Sequence, residues 1–506
     1  MADPTSFLFL LSMMLLLLQS YLFSFANAEI LNVTTDKSAL FELKAHISSK
    51  DSHHVLISNW SSNTHICTWV GVTCGSKHLR VKALNLSYMD LVGTIPPHIG
   101  NLLFLVSLSM GNNSFHGSSP NELSRLYRLQ FQDLSYNEFS GEIPPWMGLL
   151  NKLQILFLHG NNFEGSILES LSNISSLQQI NLAYNQLSGS IPSSIFKMPT
   201  LQQIILLSNK LSGPITSIFF NASSLQFIHL GDNKLFGGLS TYMFDHLPNL
   251  QFLSISQNEF SGALPEIGNL TMLRALFLYE NNFEGTIPSS LLKCTQLQYL
   301  DMWNNNFTGR LSPEIGNLTM LTYLYLAQNK FEGHLPSNIG SLFLPNLQVL
   351  TLGNNELSRT IPNSILNALE LIMLDLSHNS FSSSILEAIG NLSFLEGNIP
   401  EEIGNLSNLI DLRLFHNELG GPVPTTIGRL HMLQGLVLYG NRLKGSIPYT
   451  LCHLGSLDTL SLSGNELYGH ILACIDNITS LRTLDLGFNQ LNLTGAKLQV
   501  HSIVVL

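Results

Sequence analysis

The sequence predicts an α/β solenoid, a right-handed superhelix of stacked coils with a concave parallel β-sheet and an irregular or 3-10 convex side. Three observations lead there. The first is a template, L-x-x-L-x-L-x-x-N-x-L-x-G-x-I-P, written out by residues 177–192. The second is its period. The template asparagine falls at Asn113, Asn137, Asn161, Asn185, Asn209 and Asn233, each 24 residues after the last. With small slips it continues through Asn258, Asn281, Asn305, Asn329, Asn355 and Asn379, then resumes at Asn417, Asn441, Asn465 and Asn489. The third is composition: charged residues are 11% of the chain, against about 25% in ordinary globular proteins. That deficit fits coils made of Leu, Ser, Asn and Gly.

Sixteen asparagines in phase define a leucine-rich repeat array. Within one coil, Leu177, Ile180 and Leu182 end in an L-x-L pair, which puts alternate side chains on opposite faces of a short strand. A single coil cannot bury its leucines alone, so coils stack and their strands join into a parallel sheet. An asparagine among leucines must be hydrogen-bonded, here to backbone at the turn leaving the strand. Gly141, Gly165, Gly189 and Gly285, four residues after their asparagines, permit a turn that a Cβ would crowd. The Ile-Pro pair beyond reads as extended, because proline restricts the residue before it.

Before the array, residues 1–28 read as a signal peptide. Phe7 to Phe25 is dominated by Leu, Phe and Met, and Ala26-Asn27-Ala28 supplies the small residues of a cleavage site. The segment departs from the usual pattern in holding Asp3 and no Lys or Arg ahead of its apolar run. Thirteen N-x-S/T sequons agree with a secretory route: Asn32, Asn59, Asn85, Asn112, Asn173, Asn221, Asn269, Asn306, Asn317, Asn391, Asn405, Asn477 and Asn492. Residues 29–80 read as a cap. Its helix is expected over 36–48, with Asp36 as N-cap and Ala39, Leu40, Leu43 and Ile47 on one face. In an oxidising compartment Cys67 and Cys74 are expected to form a disulfide. The helix, with Trp60 and Trp69, would then cover the first coil. The array takes residues 81–495, about 17 coils and one truncated coil near 385–405, and 496–506 form a non-repeat tail.

The run C-x-W-x-G-V-x-C at Cys67, Trp69, Gly71, Val72 and Cys74, together with the L-x-G-x-I-P form of the coil, resembles plant extracellular leucine-rich repeat proteins. The similarity covers about residues 29–495 and is strongest to ectodomains of leucine-rich repeat receptor-like serine/threonine kinases of the immune-receptor group. It implies a plasma-membrane receptor that reads a peptide or protein on its concave face and recruits a co-receptor kinase at its C-terminal end. An alternative resemblance is to secreted inhibitors or decoys of pathogen polygalacturonases, which are shorter and carry a C-terminal cysteine cap.

The chain departs from that pattern in three places. Asn417 follows Asn379 by 38 positions, so one coil lacks its strand and asparagine; a break in the sheet or a looped-out segment is expected, and a skipped exon or mispredicted gene model accounts for the text equally well. Arg359 and Ser383 replace the turn glycine in the two coils before it. The tail L-Q-V-H-S-I-V-V-L has nine residues, against about 20 for a spanning helix, and no H-R-D or D-F-G kinase signature occurs. The kinase activity of the family is therefore not carried over, and no cofactor or metal site is expected. The 17 histidines show no ligand spacing and no nucleophile elbow is present. The formal charge of −11 argues against nucleic acid. Cys452 and Cys474 lie on consecutive coils at a spacing that allows a disulfide, with two buried thiols as the default; Cys294 has no partner.

Binding is the better prospect. Strand residues six, four and two positions before each asparagine should face the concave side. In three consecutive coils these include Phe277 and Tyr279, Tyr299, Asp301 and Trp303, then Tyr323 and Tyr325, and contiguous exposed aromatics mark interaction sites. A thinner cluster comprises Arg413, Phe415, Val437 and Tyr439. His159 and His229 on the same face would titrate near pH 6.5, and a glycan on Asn85 or Asn306 would bear on access.

Overall fold

The structure is a computed structural model that describes residues 33–49, 59–215, 223–340, 343–382, 398–492 and 504–505. The signal segment, Asn32, Asn221, Ser383, Asn391 and almost all of the tail lie outside the described residues. The chain forms two compact units, residues 1–186 and 187–506, taken here in turn.

In the first unit the helix Val33–Ala45 buries Asp36, Ala39, Leu40 and Leu43. Two expectations are corrected. Asp36 is not the N-cap; it sits in the helix's first turn, fully buried, where its carboxylate accepts from Arg80 Nε (2.8 Å), Arg80 Nη2 (2.7 Å) and the Val81 amide (2.9 Å). A carboxylate this deep needs a cation and further donors, and the start of the first coil supplies them. Ile47 is not helical either: Ile47–Ser49 is a strand running antiparallel to Leu91–Gly93. Cys67 and Cys74 are bonded, and Trp60 stacks on Trp69 at 5.3 Å.

From Val81–Asn85 the rungs follow in parallel: Ser107–Ser109, Phe131–Asp133, Ile155–Phe157 and Gln179–Asn181. A second, unexpected ladder runs beside them through the residues after each asparagine, from Leu91–Gly93 to Asn162–Ser166. The asparagines tie the two together. Asn161 Nδ2 donates to the carbonyls of Leu134, Leu158 and His159 at 2.9, 3.0 and 3.4 Å, and its Oδ1 accepts from the Phe139 amide at 3.0 Å. To place that side chain, the residue just before the asparagine adopts a left-handed conformation, as at Tyr136 (φ 48°) and Tyr184 (φ 53°). Gly141 and Gly165 have the expected positive φ. One core position is anomalous: Gln132 stands where the template has leucine, is fully buried, and neither its Oε1 nor its Nε2 has a partner.

In the second unit parallel rungs run from Gln203–Ile205 to Thr483–Asp485, with Val504–Val505 paired beyond. The opposite side carries 3-10 turns such as Pro313–Asn317, Glu401–Asn405 and Thr425–Arg429. Fully buried phenylalanines two residues past the asparagines stack from coil to coil: Phe260, Phe283, Phe307 and Phe331, with centroids 6.0, 6.1 and 6.3 Å apart. The sheet does not break at the short coil. Met373–Asp375 pairs directly with Asp411–Arg413, and the Phe381 amide donates to Asn417 Oδ1 across 36 residues where other coils span 21 to 24. The residues between, 383–397, lie outside the described ones. Arg359, in place of the turn glycine, still takes φ 69°, a conformation that strains a residue with a Cβ.

The default of two free thiols is overturned: Cys452 and Cys474 are bonded, their Cα atoms 5.7 Å apart, because consecutive 3-10 turns bring them into register. Cys294 is free and buried, and burial pushes its thiol up to about 11. No helix among the described residues is long and apolar enough to cross a membrane.

Candidate ligand-binding site

Parallel register sorts the sheet-face residues of the second unit into three lanes. Pairing sets Ala275 beside Tyr299 and Tyr323 in one lane, and Phe277 beside Asp301 and Tyr325 in the next. Tyr279 and Trp303 stand in the third. The central leucines Leu276, Leu300 and Leu324 point inward and are fully buried, so the flanking side chains are forced outward.

The predicted rings form two stacked groups on either side of Asp301, whose carboxylate accepts from the Trp303 amide. Tyr299 and Tyr323 stack at 4.4 Å and 13°, Tyr323 and Tyr325 at 6.4 Å, Phe277 lies 6.2 Å from Tyr299, and Tyr279 lies 6.4 Å from Trp303. Each ring covers part of its neighbour, so Phe277, Tyr279, Trp303, Tyr323 and Tyr325 are half-buried and Tyr299 is exposed. The Tyr323 hydroxyl donates to Gln348 Oε1 at 3.1 Å. The surface also reaches further than three coils. Phe227 stacks on Phe252 at 4.0 Å and 7°, and Phe252 lies 5.4 Å from Phe277. These two rings occupy the same six-before position, a signal present in the sequence but hidden by Ala275, which interrupts the lane.

Asp301 is the polar centre of the patch. Its Oδ1 accepts from the Trp303 amide at 3.0 Å, the one hydrogen bond it makes among the described residues. Burial pushes its carboxyl up to about 6; the Trp303 amide opposes that rise and the charge of Glu280 adds to it. Glu280 is itself held by Gln257 Nε2 at 3.0 Å. Burial, with the charge of Asp301, also raises the Tyr325 hydroxyl. The histidines behave otherwise than expected. Burial between Phe227 and Phe252 lowers His229 to about 4, and burial lowers His159 against the pull of Asp133. His229 is therefore neutral near pH 6, the range to which burial raises the Asp301 carboxyl.

The second predicted cluster lies beside a cleft of about 850 Å³ lined by Asp411, Arg413, Phe415, Gly435 and Tyr439. Arg413 is tied to Asp411 (Nη2–Oδ2 2.7 Å), and Phe415 stacks on Tyr439 at 4.6 Å. Among the sequons, Asn85 is exposed at the end of the first rung and its Oδ1 accepts from the Ser87 amide at 3.1 Å. Asn173, Asn317, Asn405 and Asn477 each end a 3-10 turn and are exposed, as are Asn269 and Asn492. Asn59, Asn112 and Asn306 are half-buried.

Residues 71–291 match the family described as leucine-rich repeat region, 33–75 the leucine-rich repeat N-terminal domain, and 296–318, 320–342, 346–368 and 370–392 single leucine-rich repeats. The LRR receptor-like serine/threonine-protein kinase EFR of Arabidopsis thaliana is 42% identical over 125 residues, 25% of this chain and 12% of that protein. The match thus spans a small part of that relative's length. Among solved structures, PEPR1–AtPEP1 has a TM-score of 0.78 at 32% identity, covering 90% of this chain and 66% of that one. The plant peptide hormone receptor RGFR1 in complex with RGF2 has a TM-score of 0.74 at 32% identity, covering 83% and 69%. The chain belongs to the leucine-rich repeat family, carries its N-terminal domain, and is homologous to the ectodomains of plant leucine-rich repeat receptor kinases and receptor-like proteins.

Proposed function

We propose that this chain is an extracellular recognition module that binds a peptide or protein on its sheet face, as the ectodomain of a plant receptor-like kinase or receptor-like protein in defence or developmental signalling. The observation that carries the reading is the stacked aromatic surface from Phe277 to Tyr325. Large rings with polar tips, held still by stacking on one another, offer contact area at little cost in side-chain entropy. Two disulfides and the exposed sequons support a secretory route, with residues 1–28 as its signal and the product at the plasma membrane or in the apoplast. The resemblance to receptor ectodomains adds a co-receptor kinase as second partner. Transcripts continuing in frame past the Leu506 codon into kinase exons would separate a receptor from a free inhibitor.

The direct test replaces Tyr279, Trp303 and Tyr325 together by alanine. Capture of a ligand panel of secreted plant and microbial peptides should be abolished while secretion and circular dichroism stay unchanged. Equal capture by the variant would remove this patch from consideration.

A further inference from the structure

We propose that the aromatic patch is a receptor for a cationic side chain, so that the peptide or protein it binds presents a lysine or arginine to Asp301. The proposal rests on the reading of this face as the ligand surface and adds the chemistry of what is read there.

Four aromatic residues are the neighbours of Asp301 in the sheet register. Phe277 and Tyr325 are its neighbours along the middle lane, and Tyr299 and Trp303 flank it on its own rung. One oxygen accepts from the Trp303 amide at 3.0 Å, and the carboxylate makes no other hydrogen bond among the described residues. A charge half-withdrawn from water with one donor is poorly compensated. An incoming ammonium or guanidinium would supply the missing partner, and the same cation would gain from the faces of the tyrosines and the tryptophan. An anion would meet Asp301 and Glu280 together. A purely apolar group would cover the carboxylate and leave it without a partner.

The charge balance of the whole face agrees. No lysine or arginine occupies any of the three lanes on the rungs from Phe227 to Ser377; the next such cation is Arg413, already paired with Asp411 at 2.7 Å. The titratable groups around Asp301 are Glu280 on the preceding coil, Tyr299 on its own rung, and Tyr323 and Tyr325 on the next. None of these is a cation at neutral pH, and Arg274, just before the Ala275 strand, is exposed and does not act on Asp301, so this carboxylate has no counter-ion among the described residues. The upward shift of the Asp301 carboxyl to about 6 reports the same lack of compensation, and it means that a bound cation holds the carboxylate ionised and releases a proton near pH 6.

The test pans a phage-displayed random dodecapeptide library on the secreted full chain, on Asp301→Asn, and on the Tyr279/Trp303/Tyr325 triple alanine variant. Wild-type protein should enrich peptides with lysine or arginine at one fixed position. Asp301→Asn should still retain peptides but lose that enrichment, and the triple variant should retain none. One selected peptide is then titrated by tryptophan fluorescence, for which Trp303 is the reporter, since Trp60, Trp69 and Trp146 are buried. Replacing its arginine by citrulline, or its lysine by norleucine, should weaken binding to wild type at least tenfold and leave binding to Asp301→Asn unchanged. Affinity for wild type should fall severalfold from pH 7 to pH 5, and not for the variant. Enrichment of neutral or acidic peptides, or equal binding of the basic peptide by wild type and Asp301→Asn, overturns the cation site while leaving the ligand face standing. Failure of the wild type to retain any peptide overturns both.

Discussion

Replacing Asn161 by alanine removes one rung of the amide ladder, and the structure states what is lost. The Phe139 amide, whose residue is fully buried, loses its acceptor at 3.0 Å; an orphaned buried donor costs about 1–3 kcal/mol. The carbonyls of Leu134 and Leu158 are not orphaned, because each still receives the Nδ2 of the adjoining asparagine, Asn137 at 3.2 Å and Asn185 at 3.1 Å. His159 O likewise keeps the Tyr136 amide at 2.8 Å. The lost donations therefore count as ordinary net hydrogen bonds, of order 0.5–1 kcal/mol each. The total is about 4 kcal/mol, a large share of the roughly 5–15 kcal/mol that holds a domain together. Guanidinium denaturation followed by tryptophan fluorescence reads this unit, since Trp60, Trp69 and Trp146 all lie within residues 1–186. Hydrogen exchange by mass spectrometry should show loss of protection in the peptide containing Phe139. The neighbouring Asn162 is exposed, and Asn162→Ala should change stability by less than about 0.5 kcal/mol. If Asn161→Ala behaves like that control, the asparagine ladder does not hold the coils.

Three further outcomes follow from particular side chains. Gln132→Leu restores the template residue at a fully buried position whose amide has no partner, and should raise the denaturation midpoint by the equivalent of about 2 kcal/mol; a loss of stability would show that the amide is satisfied. Asp301 in the folded chain titrates at about 6 against 3.8 for a free carboxyl, so the native state holds its proton more tightly. Its contribution to stability is fully present below about pH 4 and declines as pH rises to 6, by about 3 kcal/mol at most. Asp301→Asn should therefore be the more stable protein at pH 7 and lose that advantage at pH 4, in parallel thermal melts. Serine at both Cys452 and Cys474 opens a bond spanning 22 residues, worth about 3 kcal/mol by loop entropy. Limited proteolysis should then cut first near that pair, and alkylation of the denatured but unreduced wild type should label Cys294 alone.

The periodic part of the fold was legible because each rung repeats one chemical necessity: leucines to bury, an asparagine to satisfy backbone, and a glycine or its substitute to turn. The cap disulfide was legible for a similar reason, two cysteines close in sequence beside two tryptophans. What escaped was set by contacts between coils. The left-handed residue before the asparagine is announced by glycine in only some coils, Gly160, Gly440 and Gly464, whereas Tyr136, Tyr184 and His416 take the same conformation under the pull of the ladder. The buried role of Asp36 depends on Arg80, 44 residues away. The bond between Cys452 and Cys474 depends on how two turns align. In the candidate site the seven predicted residues share one register, whereas the extension to Phe227 and Phe252 is masked by Ala275, which breaks the pattern. The state of His159 and His229 is set by burial, which no residue pattern encodes.

The direct pairing of Met373–Asp375 with Asp411–Arg413 has a bearing on how such a surface changes. A rung is admitted by its own leucines and asparagine, and the ladder takes no account of how much chain separates it from the rung before. Residues far apart in the text can thereby become facing neighbours, as His378 and His416 do at 4.6 Å, with Phe415 at 5.0 Å from His378. Gaining or losing a stretch of gene between coils would thus re-deal which side chains adjoin on the sheet, creating a new combination without altering a single residue within it.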